Sequence, residues 1–251
     1  MTAHKHPRVL LFDIETMANK AFVWGKYEQD VLSFEKQSYM LTFSYKWLDE
    51  KKARVASLPD YKDYKKDKTN DKALCLDLWR LFDEADVVVG HNSESFDIKK
   101  ANARFVQHGF PPPKPFKSVD TLKISRRYFK FESNKLDDLG QSLGVGRKIV
   151  HTGWDLWLGC AVRDEKSAWD KMAEYNKQDV LLLERVYLKL RPWMINHPNF
   201  NLYAETENFC PACGGKLERR GYRFNRTTKY QQFKCLDCGS WSSKPITGLI
   251  R

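Results

Sequence analysis

The chain has 251 residues, 42% of them hydrophobic and 14% aromatic, and a formal net charge of +11. That length allows one or two domains with a sizeable core, and with no run of ~18 apolar residues a transmembrane helix is excluded. The positive balance points to an anionic partner, nucleic acid or a membrane surface. The opening residues, MTAHKHPRV, lack the apolar segment of a secretion signal, so an intracellular, cytoplasmic setting is expected.

In chain order, the first element is VLLFDIET, residues 9 to 16, a buried strand interrupted by two carboxylates. Alternate strand residues share a face, so Asp13 and Glu15 project together. Two more strands follow, in YMLTFSYKWL from Tyr39 and in KARVASL up to Leu58. The charged stretch from Lys62 to Lys72 reads as a solvated loop with little reason to order. ALCLDLWRLFDEA has helical spacing, DVVVGHN is a buried strand closed by Gly90, and SFDIKKANARFVQHG is a helix ending near Gly109. Prolines 111 to 113 force a break. KSVDTLKIS then reads as a strand and NKLDDLGQSLGVG as a short helix. A long helix runs from Glu165 to Leu190, with Pro192 beyond it. Three antiparallel strands followed by helix, strand, helix, strand, helix predict an α/β fold: a mixed five-stranded sheet flanked by helices. NHPNFNLYAETENF reads as a linker, so the expected division is 1–195, a linker at 196–208, and a small module at 209–251.

That module carries two CxxC hooks, Cys210 and Cys213 in CPACGG, and Cys235 and Cys238 in CLDCGS. Four thiolates in paired hooks suit one tetrahedral, structural zinc ion, as in a small β zinc ribbon. The gap between the hooks fits two strands and a turn. Nine Lys or Arg stand there against two acids, a net +7 of the chain's +11. Zinc with four thiolates subtracts about two charges. Tyr222, Phe224, Tyr230, Phe233 and Trp241 are interleaved with the cations, a composition suited to single-stranded nucleic acid. A ribbon core, or a protein partner, is the alternative reading. Cys75 and Cys160 lie in apolar runs and read as small buried residues.

Asp97 falls in the first turn of its helix, where the helix dipole favours an acid. Asp179 shares a helix face with Tyr175, four residues earlier. Each is unremarkable alone: many D-x-E pairs are solvated, and many first-turn acids are caps. Four acids held together would repel, and magnesium or manganese relieves that conflict. Two such ions ~4 Å apart activate a water and stabilise the leaving oxygen in phosphodiester cleavage.

Taken jointly, FDIET, GHNSESFD and YNKQD resemble the three motifs of the DEDD exonuclease superfamily, over residues 8 to 190. Tyr175 aligns the chain with the tyrosine-bearing branch, similar to the proofreading domains of family-B polymerases. KLDDLGQSLG also resembles the segment before the third motif. The resemblance implies an RNase H-like fold and removal of nucleotides from a 3′ end. It implies that Asp13, Glu15, Asp97 and Asp179 hold two magnesium or manganese ions. It implies that Tyr175 orients the attacking water, since a phenol with pKa near ~10 is a poor base. Asn92 matches a substrate-touching asparagine of such families. Thr16 and Ile14 are candidates to meet the terminal nucleotide, with strand packing as the alternative. Trp154 and Trp157 read as core, and Lys148 and His151 as exposed polar residues, with an approach to phosphate as the alternative. The expected substrate is single-stranded DNA, with RNA, structure-specific endonuclease action and a non-catalytic nucleic-acid binder as rivals. No polymerase domain is recognisable, so a proofreading role implies a separate replication or repair protein; no membrane partner is expected.

Overall fold

A computed structural model describes residues 6–27, 30–203 and 208–246. β1 (Val9–Thr16) is its central strand. Then come a short hairpin of β2 (Lys20–Phe22) and β3 (Ser33–Lys36), followed by β4 (Met40–Trp47) and β5 (Arg54–Ser57). α1 (Lys72–Glu84), β6 (Val87–Gly90), α2 (Asp97–Gln107), β7 (Lys117–Asp120) and α3 (Thr121–Tyr128) succeed them. α4 (Leu136–Ser142), α5 (Trp154–Ala161) and α6 (Lys166–Leu190) lead toward the last three strands, β8 (Leu217–Phe224), β9 (Lys229–Cys235) and β10 (Trp241–Pro245).

The main sheet has the order β5-β4-β1-β6-β7. β4 runs antiparallel to β1 and β5, and β6 runs parallel to β1 and β7. This is the expected RNase H-like mixed sheet flanked by helices. Alternation along β1 divides the core. Leu10, Phe12 and Ile14 join Leu74, Leu78 and Phe82 of α1 and Phe105 of α2. Val9 and Leu11 join Val180, Leu183 and Val186 of α6. Phe82 is fully buried, edge-on to Phe12 with ring centroids 5.0 Å apart; burying a ring of that size is worth about 1.5–3 kcal/mol. No helix among the described residues is long and apolar enough to cross a membrane.

Besides α5, a helix for which no element was expected, three stretches differ from expectation. Lys62 to Lys72 is ordered rather than a solvated loop. Tyr64 is buried, edge-on to Trp169 and with its hydroxyl on Asp164. Asp71 is fully buried and accepts the Met40 amide (2.8 Å), Arg104 Nε (2.9 Å) and His108 Nε2 (2.7 Å). Burial alone would raise its pKa, but Arg104 and the Met40 amide hold it below the ordinary carboxylate value. KSVDTLKIS is strand only to Asp120, whose side chain accepts the amides of Leu122 (3.0 Å) and Lys123 (3.4 Å) and so starts α3. Such a cap outweighs the β-branched residues that suggest strand. The β2–β3 hairpin has no counterpart in the expected elements; Trp24, Tyr27 and Phe34 on it and its connecting loop are exposed.

Candidate active site and cysteine cluster

β1 pairs with β6 only from Val9 to Leu11. Beyond that point the chain leaves β6 at Gly90, and a crevice opens at the carboxyl end of the parallel strands, where open α/β sheets take ligands. Asp13 and Glu15 stand there, on the face of Val9 and Leu11, toward α6. Gly90 permits the departing turn, since a Cβ on it would lie 2.4 Å from that of Ser93. Asn92 follows at φ 63°, the left-handed region that asparagine tolerates. Buried Asp120 accepts the amides of Asn92 (2.9 Å) and Glu94 (3.2 Å). The loop so formed delivers Asp97 to the first turn of α2, buried, where it accepts the Ile14 amide at 3.3 Å.

Tyr175, Asn176 and Asp179 come from the buried side of α6. Carboxylate oxygens of Asp13, Glu15 and Asp179 lie within 4.8 Å of one another. Asp97 is outside that group but near enough for its charge to raise Asp13. Burial, then the charges of Asp97, Glu15 and Asp179, push Asp13 well above its ordinary pKa. Burial and Asp179 take Glu15 to about 8, and burial takes Asp97 to about 6. Burial also raises Asp179, and its Oδ1 is buried with no hydrogen-bond partner among the described residues. Hard-oxygen ligands crowded in this way, with an orphaned oxygen, fit a divalent cation such as magnesium or manganese.

Two residues absent from the sequence-based list complete the site. Asn176 is fully buried; its amide donates to Asp13 Oδ2 (2.6 Å) and accepts the Thr42 hydroxyl (3.1 Å). Lys148 is not the exposed residue expected. Its ammonium lies 2.5 Å from Asp179 Oδ2 and 3.2 Å from the Tyr175 hydroxyl. Burial opposes that charge, but Asp179 and Tyr175 outweigh it and hold the pKa above its ordinary value. His151 packs its ring on Tyr175, with centroids 4.6 Å apart, and on Trp157 at 5.3 Å. Trp157 is half-buried against the core, whereas Trp154 is exposed rather than core.

The proposed substrate contacts separate. Asn92 is exposed at the lip, and Thr16 is half-buried at the end of β1, just past a register shift. Ile14 is corrected. Its side chain is buried among α1 and α2 on the face opposite the acids, and its amide is taken by Asp97.

The four cysteines also converge. Cys210 and Cys238 sulfurs are 3.7 Å apart, and those of Cys213 and Cys235 are 3.6 Å apart. Tetrahedral zinc with Zn–S of about 2.3 Å separates its sulfurs by about 3.8 Å, so the cluster fits that ion. Amides of Gly215 and Cys238 point at Cys213 Sγ (3.3 Å) and Cys235 Sγ (3.5 Å), and two strands span the gap between the hooks. Cys75 and Cys160 are buried, as expected.

No curated protein matches the chain. Among solved structures it is similar to a family B DNA polymerase from the hyperthermophilic archaeon Pyrobaculum calidifontis, at 19% identity and TM-score 0.54. The likeness covers 74% of this chain but 25% of the polymerase, so the chain spans about a quarter of that protein's length. The family model of the RNase_H superfamily matches residues 10–191, from β1 to the end of α6. That span contains the whole acidic site and most of the chain, and the protein belongs to the RNase_H superfamily.

Proposed function

We propose that the chain is a metal-dependent 3′–5′ exonuclease acting on single-stranded DNA, with residues 209–251 forming a zinc ribbon that helps hold the strand. The reading is carried by the convergence of Asp13, Glu15 and Asp179 within 4.8 Å, with Asp97 alongside. In this reading the four acids hold two magnesium or manganese ions, which supply a hydroxide at neutral pH and stabilise the leaving oxygen. Tyr175, raised by burial and by Asp179, stays a neutral phenol and orients the water instead of deprotonating it. Asn92 and Thr16 meet the terminal nucleotide. Residues 1–195 form the catalytic domain and 196–208 the linker, and a replication or repair protein is the expected partner. The likeness to a DNA polymerase is one of fold, and it makes DNA the first substrate to test; RNA is the alternative.

One observation favours a non-catalytic nucleic-acid binder: Lys148 already supplies a positive charge to Asp179. Labelled DNA and RNA strands, linear or circular, with ends blocked in turn, separate the readings when incubated with magnesium or manganese. The expected result is loss of single nucleotides from a free 3′ end and no cut in a circle. Asp13→Ala and Asp179→Ala should each lower the rate at least about 100-fold, more than losing a partner of a metal ligand. Wild-type rates in those variants would refute the assignment. Tight binding without shortening would favour the binder.

A further inference from the structure

Strand register sorts the side chains of the β8–β9–β10 sheet onto two faces. Directly paired residues share a face, as do alternate residues on one strand. Lys229 pairs with Phe224, Gln231 with Tyr222, and Phe233 with Arg219. Lys229, Gln231 and Phe233 alternate along β9, so all these side chains share one face. Arg219 and Tyr222 are three apart and would ordinarily oppose each other. The register irregularity between them brings both to this side. The opposite face carries Tyr230 with Arg223, and Lys234 with Glu218 and Trp241.

The two faces differ in charge, although the opposite face also leaves a ring in water, Trp241 at 54% exposed. Among the described residues of the paired strands, the one carboxylate is Glu218, on the opposite face. The first face pairs cations with rings left in water. Tyr222 is 50% exposed and Phe224 68%. Two residues apart on a strand, these positions repeat at about 6.8 Å. The Lys229 ammonium is seated with them, 3.8 Å from the Tyr222 ring centroid and 5.7 Å from that of Phe224. Exposed rings accept stacked bases whatever the sequence, and the adjoining cations meet phosphates. The Tyr222 phenol and Gln231 Oε1 on this face could also meet a ribose 2′-hydroxyl, so the choice of DNA rests on the function proposed above.

We infer that this face is where the ribbon takes single-stranded DNA, with bases on Tyr222 and Phe224 and phosphates on Arg219 and Lys229. The assignment rests on the strand-holding role proposed above and adds the surface that performs it. The test uses the full, zinc-loaded chain without magnesium and a labelled oligo(dT). Tyr222→Ala and Phe224→Ala should each raise Kd about tenfold. Arg219→Gln and Lys229→Gln should each make the log Kd against log salt slope shallower by about 0.7. Trp241→Ala and Lys234→Gln, on the opposite face, should change Kd by less than about twofold. Zinc content of each variant reports its fold, and leucine at the same position, which removes the ring but keeps an apolar side chain, replaces any alanine variant that loses zinc. The reverse pattern overturns this face while leaving the ribbon's role intact. No loss from either face overturns that role as well. Oligo(U) binding more tightly than oligo(dT) overturns DNA as the occupant.

Discussion

Asn176 donates to Asp13 without bringing a charge. An ionised carboxylate only accepts hydrogen bonds, and the Thr42 hydroxyl fixes which end of the amide faces it. Asn176→Leu keeps the volume and removes the donor. We expect kcat to fall about 10–100-fold, with KM nearly unchanged and a higher magnesium concentration for half-maximal rate. Loss of folding in place of that split would show a purely structural role. Glu15 sets a second expectation. Its pKa, about 8 in the fold, lies above the unfolded value of about 4.3. A carboxyl raised in this way contributes stability that is complete below about pH 4 and lost as pH rises through about 8. Magnesium binds the ionised form, so its increment in Tm should grow from about pH 5 to about pH 9. Equal increments across that range would mean that the ion binds elsewhere. Asp13, Glu15 and Asp179, which the fold gathers, were readable in the chain because short local motifs carry them. Asn176 and Lys148 were not, because their partners lie 163 and 31 residues away and no periodicity marks them.

α4 shows how closely one helix is seated on another. A Cβ at Gly140 would lie 2.7 Å from the Gly146 carbonyl and 2.7 Å from Leu182 Cδ1 of α6. Alanine improves helix propensity by about 1 kcal/mol, but overpacking against a backbone oxygen costs about 1–3 kcal/mol. Gly140→Ala should therefore lower stability in a denaturant titration; a rise would mean that α4 moves freely. The same contact holds the segment that brings Lys148 to Asp179, so activity should fall with it. Long elements such as α1 and α6 followed from apolar spacing. The start of α3 did not, because one side chain, Asp120, decides it against the propensity of its neighbours. The order of Lys62 to Lys72 escaped for a related reason: Asp71 is satisfied by Arg104 and His108, from a different helix.

The whole chain places an acid-lined crevice and a basic, cysteine-bearing module on one polypeptide. The intervening segment is more than a tether where it is described. His197 stacks on Tyr187 of α6, and Phe200 is buried in the same cluster as Val186. The Phe200 amide donates to the Pro211 carbonyl (2.7 Å), and the Asn201 side chain donates to that of Phe209 (2.6 Å). The stretch read as a linker, yet Phe200, His197 and these hydrogen bonds dock it. The module is therefore held close to the main sheet at its first cysteine hook.

The distribution of sulfur gives the molecule an oxidative weak point. Cys75 and Cys160 are sealed in the core, out of reach of peroxide. Cys213 and Cys238 are half-exposed. In the proposed zinc-loaded exonuclease, mild peroxide should strike them first, eject the ion and loosen the grip on long strands, while trimming of a dinucleotide continues at its former rate. A metal-release dye and the two substrates followed together test this: dinucleotide turnover that fades in step with the released ion would mean that damage at the ribbon reaches the acids.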